Sequence, residues 1–157
     1  MGIEAQLRKL GIDLPAAPQP AGKYVPFVVT GSLVFIAGQL PLKDGKVAVT
    51  GKLGAEVGIE GGLEAARLCA INILSQLRAA CGLDKVRRCV RLNGFIASTP
   101  DFTDQPKVLN GASDLIADVF GEAGRHSRVA VGVAALPLNA AVEVDGIFEI
   151  NLRDGGS

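Results

Sequence analysis

An excess of charge of either sign is the first thing this chain lacks. Sixteen lysines and arginines balance sixteen aspartates and glutamates, so the formal net charge is zero. The positive field that a nucleic acid or an anionic membrane surface asks of its partner is therefore missing. There is a single histidine, and the three cysteines (Cys69, Cys81 and Cys89) are an odd number set in regular segments without metal-ligand spacing. That argues against a zinc site and makes a reducing cytoplasm the expected compartment. No charged n-region with an apolar core opens the chain, so a signal peptide is not expected. No uninterrupted apolar run reaches about 18 residues, so no membrane span is expected either.

What is present is aliphatic. Hydrophobic residues make up 48% of the 157 while aromatics supply only 4%, and the mean hydropathy is +0.34. The length suits one domain with a real core. This much Ala, Val, Leu and Ile exceeds what one small core hides, which points to oligomerisation.

Periodicity divides the chain. Ile3, Leu7 and Leu10 mark a short amphipathic helix, and Pro15, Pro18 and Pro20 enforce an extended connector, so residues 1–21 read as an N-terminal arm ahead of a domain over 22–157. Tyr24–Thr30 and Leu33–Gly38 read as strands, and the run 33–37 suggests burial on both faces. Asp44-Gly45 is a hairpin dipeptide within 40–49. The stripe Leu63, Ala66, Ala70, Ile73, Leu74, Leu77 and Cys81 predicts a helix over 63–81, stopped by Gly82. Val86–Ala97 reads as a strand, and a second helix opening at Asp101 or Thr103 runs to Gly121. Two alternating segments close the chain, 128–137 and 142–150, with turn residues 136–139 between them suggesting a hairpin. The result is an α+β two-layer domain, one mixed sheet with two helices on one face.

In the closing pair, Val129, Val131 and Val133 look like a core face, whereas Arg128, Ala130, Gly132 and Ala134 look like a pocket floor or subunit contact. A guanidinium among small residues suits a carboxylate ligand, though a structural ion pair is the alternative. A hairpin turning near 138–139 sets Arg128 opposite Glu149 and Glu143 opposite Ala134. Arg128 and Glu143 are then roughly 20 Å apart, too far to share a small ligand except across subunits. Gly38 ends a strand where backbone can approach a ligand closely, or is a simple strand exit. Tyr24 and Asn110 could reach a ligand or merely pack. His126 has no partnered Ser or Cys motif and reads as a surface histidine.

These residues fall in a recognisable order. Gly22-Lys-Tyr24-Val, Ile36-Ala-Gly-Gln-Leu-Pro41, Arg128 eight residues before Leu136-Pro137, and Glu143 six residues after that proline resemble the YjgF/RidA family over about 22–150. The resemblance implies a chorismate-mutase-like α+β fold, a homotrimer, and clefts between subunits in which water hydrolyses reactive 2-imino acids to 2-oxo acids and ammonia, with no metal or organic cofactor. It assigns Arg128 to the substrate carboxylate, Glu143 to the attacking water, Tyr24 and Asn110 to the cleft, and Ala130 to a position where many relatives have cysteine. Ala37 stands where the deaminases have serine. A non-catalytic small-carboxylate sensor is the alternative function, and an endoribonuclease a further one that the neutral net charge argues against.

Overall fold

The structure, a computed structural model, describes residues 2–20 and 22–152. Its elements in chain order are helix α1 (Ile3–Lys9), strands β1 (Phe27–Thr30) and β2 (Leu33–Gln39), a ribbon of β3 (Leu42–Lys43) and β4 (Lys46–Val47), helix α2 (Ile59–Ala80), strand β5 (Val86–Ala97), helix α3 (Gln105–Phe120), and strands β6 (Ser127–Val133) and β7 (Val142–Ile150). Asp44 and Gly45 turn the ribbon with φ of 54° and 79°, the left-handed pair that a tight hairpin needs. Pro26 has no N–H to give a ladder, so β1 starts after it and leaves Tyr24 in the preceding bend. Helix α2 begins one turn earlier than its apolar stripe suggests, and Pro106, tolerated in a first turn, holds the start of α3 to Gln105.

Strands β1, β2, β7, β5 and β6 lie side by side in that order. The β5–β6 pair is parallel and the other pairs are antiparallel. Helices α2 and α3 cover one face, burying Val34, Ile36, Leu92, Val142, Val144 and Phe148 beneath Ile73, Leu77, Leu109 and Ile116. This is the two-layer α+β arrangement expected. Among the described residues no helix is long and apolar enough to cross a membrane.

The closing hairpin is not formed. β5, α3 and β6 make a strand–helix–strand unit, which returns β6 parallel to β5 along one edge, while β7 takes the other edge. Arg128 is therefore opposite Leu92, which is opposite Gly146, and Glu143 is opposite Phe95 rather than Ala134. Glu149 pairs with Arg88 and Leu33, not with Arg128.

The faces of β6 are also the reverse of the expectation. Register with β5 turns Arg128, Ala130 and Gly132 toward α3, where small residues let the helix sit close; a Cβ at residue 94, beside Ala130, would lie 2.6 Å from Leu109 Cδ1. Val129 and Val131 face the other side of the sheet and are 37% and 40% exposed. Phe35 is on that side too, so the run 33–37 is buried from the helix side alone.

Helix α2 is buried on more than its apolar stripe. Ser75 Oγ donates to the Pro15 carbonyl at 2.9 Å and Gln76 Nε2 to the Pro18 carbonyl at 2.6 Å, while Asn72 Nδ2 donates to the carbonyls of Leu40 and Leu42 at 3.0 and 3.2 Å. The proline arm is thus tied along the helix, and Leu7 and Leu14 join the core. The arm's expected end at Ala21 lies outside the described residues.

Helices α2 and α3 meet at Gly111, where a Cβ would collide with the Leu63 carbonyl. Gly111→Ala is expected to destabilise the fold by about 1–3 kcal/mol through overpacking, despite alanine's better helix propensity. A thermal melt unchanged by the substitution would contradict this close crossing.

Candidate functional site

Alternation along β7 sends Val142 and Val144 into the core and Glu143 to the uncovered side. Beside it β2 ends in an irregularity, the β2–β7 register slipping between Ile36 and Gln39. There the Glu143 carboxylate lies against the backbone of Gly38 so closely that any Cβ would collide with it. The glycine is required, though by a side chain of its own chain. A cleft of about 450 Å³ opens at this point, lined by Tyr24, Ala37, Gly38, Leu138 and Glu143, with Pro18 and Pro20 of the arm as a further wall. Tyr24 is exposed at 57%.

Burial, and then the neighbouring Asp145, push the Glu143 carboxyl above its ordinary range. Asp145 is itself raised by burial, against the opposing pull of Asn93 and Arg91. Those three are joined in a row: Arg91 Nε donates to Asn93 Oδ1 at 2.9 Å, and Asn93 Nδ2 to Asp145 Oδ1 at 2.6 Å. Glu143 has no hydrogen-bond partner among the described residues, so its carboxylate is uncommitted.

Arg128 lies elsewhere, on the edge strand β6 and on the helix side of the sheet. Its Nη1 donates to Ser113 Oγ and its Nη2 to the Pro106 carbonyl, both at 3.0 Å. The structural ion pair considered as an alternative is not found, since no carboxylate pairs with Arg128 among the described residues. Asn110 falls between Pro106 and Ser113 on that side of α3 by helical spacing and is exposed. Ala130 is half-buried beside Gly94 and packs against the core from the α3 side of the sheet. His126 has the serine partner that no sequence motif announced: its Nε2 is 2.9 Å from Ser113 Oγ.

The candidate residues therefore form two groups. Tyr24, Gly38 and Glu143 share the cleft; Arg128, Asn110 and Ala130 share the α3–β6 edge. With two strand spacings and three residues between them, Arg128 and Glu143 are roughly 14 Å apart along the sheet and point to opposite faces. The earlier estimate of their separation rested on a hairpin that does not exist, yet within one chain they still cannot hold one small molecule. The arm prolines, Leu138, and the Asn93–Asp145 row were missed as site neighbours. The proline spacing indicates an extended arm, but nothing local in the sequence says where it packs. Among the described residues no group of three or more His, Cys, Asp or Glu could hold a metal ion.

Residues 4–150 match the family model described as "YjgF/chorismate_mutase-like, putative endoribonuclease". The chain is 53% identical over 151 residues to Protein TCP17 of Trypanosoma cruzi, covering 95% of this chain and 94% of that protein. It is 31% identical over 140 residues to the 2-iminobutanoate/2-iminopropanoate deaminase of Dermatophagoides farinae, covering 88% and 94%. The crystal structure of Atu1372 from Agrobacterium tumefaciens, a protein of unknown function, superposes with a TM-score of 0.88 at 52% identity, covering 96% of this chain and 94% of that one. The chorismate-mutase-like α+β fold implied by the sequence motifs is the fold of the chain.

Proposed function

The chain belongs to the YjgF/RidA family, and from that premise we propose that it is a hydrolytic deaminase of reactive 2-imino acids, assembled as a homotrimer whose clefts close between copies. One observation carries the reading: Arg128 and Glu143 lie on opposite faces of one sheet, each without an oppositely charged partner among the described residues. The uncovered sheet face, with Val28, Phe35, Val129 and Val131 exposed, supplies apolar surface for copies to bury. In the proposed trimer, the threefold axis sets the α3–β6 edge of one copy against the Glu143 cleft of the next.

The chemistry needs little else. Arg128 holds the substrate carboxylate through N–H groups not spent on α3. Glu143, ionised, accepts a proton from the water that attacks the imine carbon, and a carboxyl raised above its ordinary range is the stronger base for that step. The proton is returned to nitrogen, a second proton passes from the adduct's hydroxyl to that nitrogen as the C–N bond breaks and the carbonyl forms, and ammonia leaves a 2-oxo acid. Water and the imino acid are the only reactants consumed. Tyr24 flanks the bound ligand, with Asn110 beside the arginine.

A non-catalytic small-carboxylate binder is the second reading, favoured by Ala37, which lines the cleft beside Glu143 without a hydroxyl. Ammonia release from 2-iminopropanoate generated in situ separates the two. The deaminase accelerates release over the spontaneous rate, and the binder does not. Ultracentrifugation tests the assembly at the same time, because a particle of one 16.2 kDa chain would leave both half-sites incomplete and sink the proposal.

A further inference from the structure

Next to Arg128 lies a pair of side chains for which imine hydrolysis as described has no use. Ser113 Oγ is 3.0 Å from Arg128 Nη1 and 2.9 Å from His126 Nε2, and His126 Nδ1 is 2.6 Å from the Gly124 carbonyl oxygen. For the neutral ring, donor and acceptor chemistry leaves one arrangement of protons. A carbonyl oxygen can only accept, so Nδ1 carries the ring proton. Nε2 of the neutral ring then accepts, and the Ser113 hydroxyl is its donor. Arginine can only donate, so Ser113 Oγ receives Nη1–H on a lone pair that His126 has turned toward β6. The Pro106 carbonyl, two helical turns away on α3, receives Nη2–H. Both terminal nitrogens are anchored to one helix, and the plane of the guanidinium is set before any ligand arrives.

We propose that Ser113 and His126 are positioning residues that aim Arg128 at the substrate carboxylate. The affinity for 2-imino and 2-oxo acids then depends on a serine–histidine pair that does not touch the ligand. The proposal rests on the deaminase reading of Arg128. Its physical basis is preorganisation: a long, flexible side chain already held in its binding geometry gives up less freedom when the ligand binds. His126 acts at one remove, by fixing which way the Ser113 hydroxyl points.

The chain has one histidine, so protein labelled with 15N-histidine reports on this site alone. The neutral ring of the unaltered protein is expected to carry its proton at Nδ1, and 2-oxobutanoate, the stable product, is expected to move the Nε2 resonance. Ser113→Ala is expected to raise KM for 2-iminobutanoate and Kd for 2-oxobutanoate about tenfold, the loss of one hydrogen bond to a charged group. Turnover at saturation should stay within about twofold, since the lost interaction is made in ground state and transition state alike. Ser113→Thr, which keeps the hydroxyl, should restore affinity and the ligand-induced shift, and His126→Ala should weaken binding in the same direction. The tautomer is read on the unaltered protein, so the test survives a variant that does not fold. Protonation at Nε2 in place of Nδ1 overturns the proposal. So does an affinity abolished by Arg128→Ala but unmoved by both Ser113→Ala and His126→Ala, which leaves the deaminase reading standing. A wild-type protein that neither binds 2-oxobutanoate nor releases ammonia from 2-iminobutanoate overturns both.

Discussion

Glu143→Gln is expected to lower the turnover of 2-imino acids by about 10²–10⁴-fold, the usual contribution of a positioned base, while making the protein more stable at neutral pH. Both effects come from one environment. Burial and Asp145 raise the folded-state pKa of Glu143 above its ordinary value, so the native protein binds that proton more tightly than the unfolded chain does. The resulting stability is fully present below the unfolded value and is lost as pH rises through the folded one. At neutral pH the wild type carries a half-buried carboxylate without a hydrogen-bond partner among the described residues, and glutamine has nearly the same shape without the charge. Melting curves should show the variant above the wild type at neutral pH, with the gap closing as acid protonates Glu143. Wild-type turnover in the variant would remove Glu143 from the mechanism, and a lower melting point at neutral pH would contradict its burial.

Two inactive variants should repair one another. Arg128→Ala lacks the carboxylate anchor and Glu143→Gln lacks the base, so neither homotrimer is expected to turn over substrate. If each site takes its arginine from one copy and its glutamate from the next, a mixed trimer has one interface at which both survive. Unfolding equal amounts together and refolding them should then recover about a quarter of wild-type activity: about three-quarters of random trimers are mixed, each with one complete site in three. Recovery of none, with mixed trimers present, would mean that both groups come from the same chain, which their roughly 14 Å separation across opposite sheet faces opposes.

Local pattern was readable in this sequence and long-range placement was not. β5 occupies the residues that alternation predicted, and α3 buries the stripe Val108, Leu109, Ala112, Leu115, Ile116, Val119 and Phe120. The closing hairpin was inferred from a turn motif between two alternating segments, a local signal. The competing rule, that strand–helix–strand returns the chain in parallel, governs β6. That choice also decides which face of β6 is buried, because an alternating Val–small pattern does not say which set of residues its neighbour will oppose. The tethering of the arm by Ser75 and Gln76 was invisible to a search for apolar periodicity, since the anchors are polar. On the site side, motif spacing picked out Tyr24, Gly38 and Glu143, and the structure gathers them in one cleft. Ser113 was missed because its partners, His126 and Arg128, are 13 and 15 residues away, with the end of α3 between.

The position of β7 in the middle of the sheet bears on how the chain comes together as it is made. β1 and β2 can pair early, and β5, α3 and β6 can assemble as a unit, but among the described residues the only ladders joining these two pieces run through residues 142–150. Until the ribosome has delivered β7, β2 and β5 each present a bare edge, the kind of surface on which nascent chains stick to one another. The carboxylate proposed to activate water thus arrives on the segment that locks the sheet, and no chain that stops short of β7 can own a working cleft.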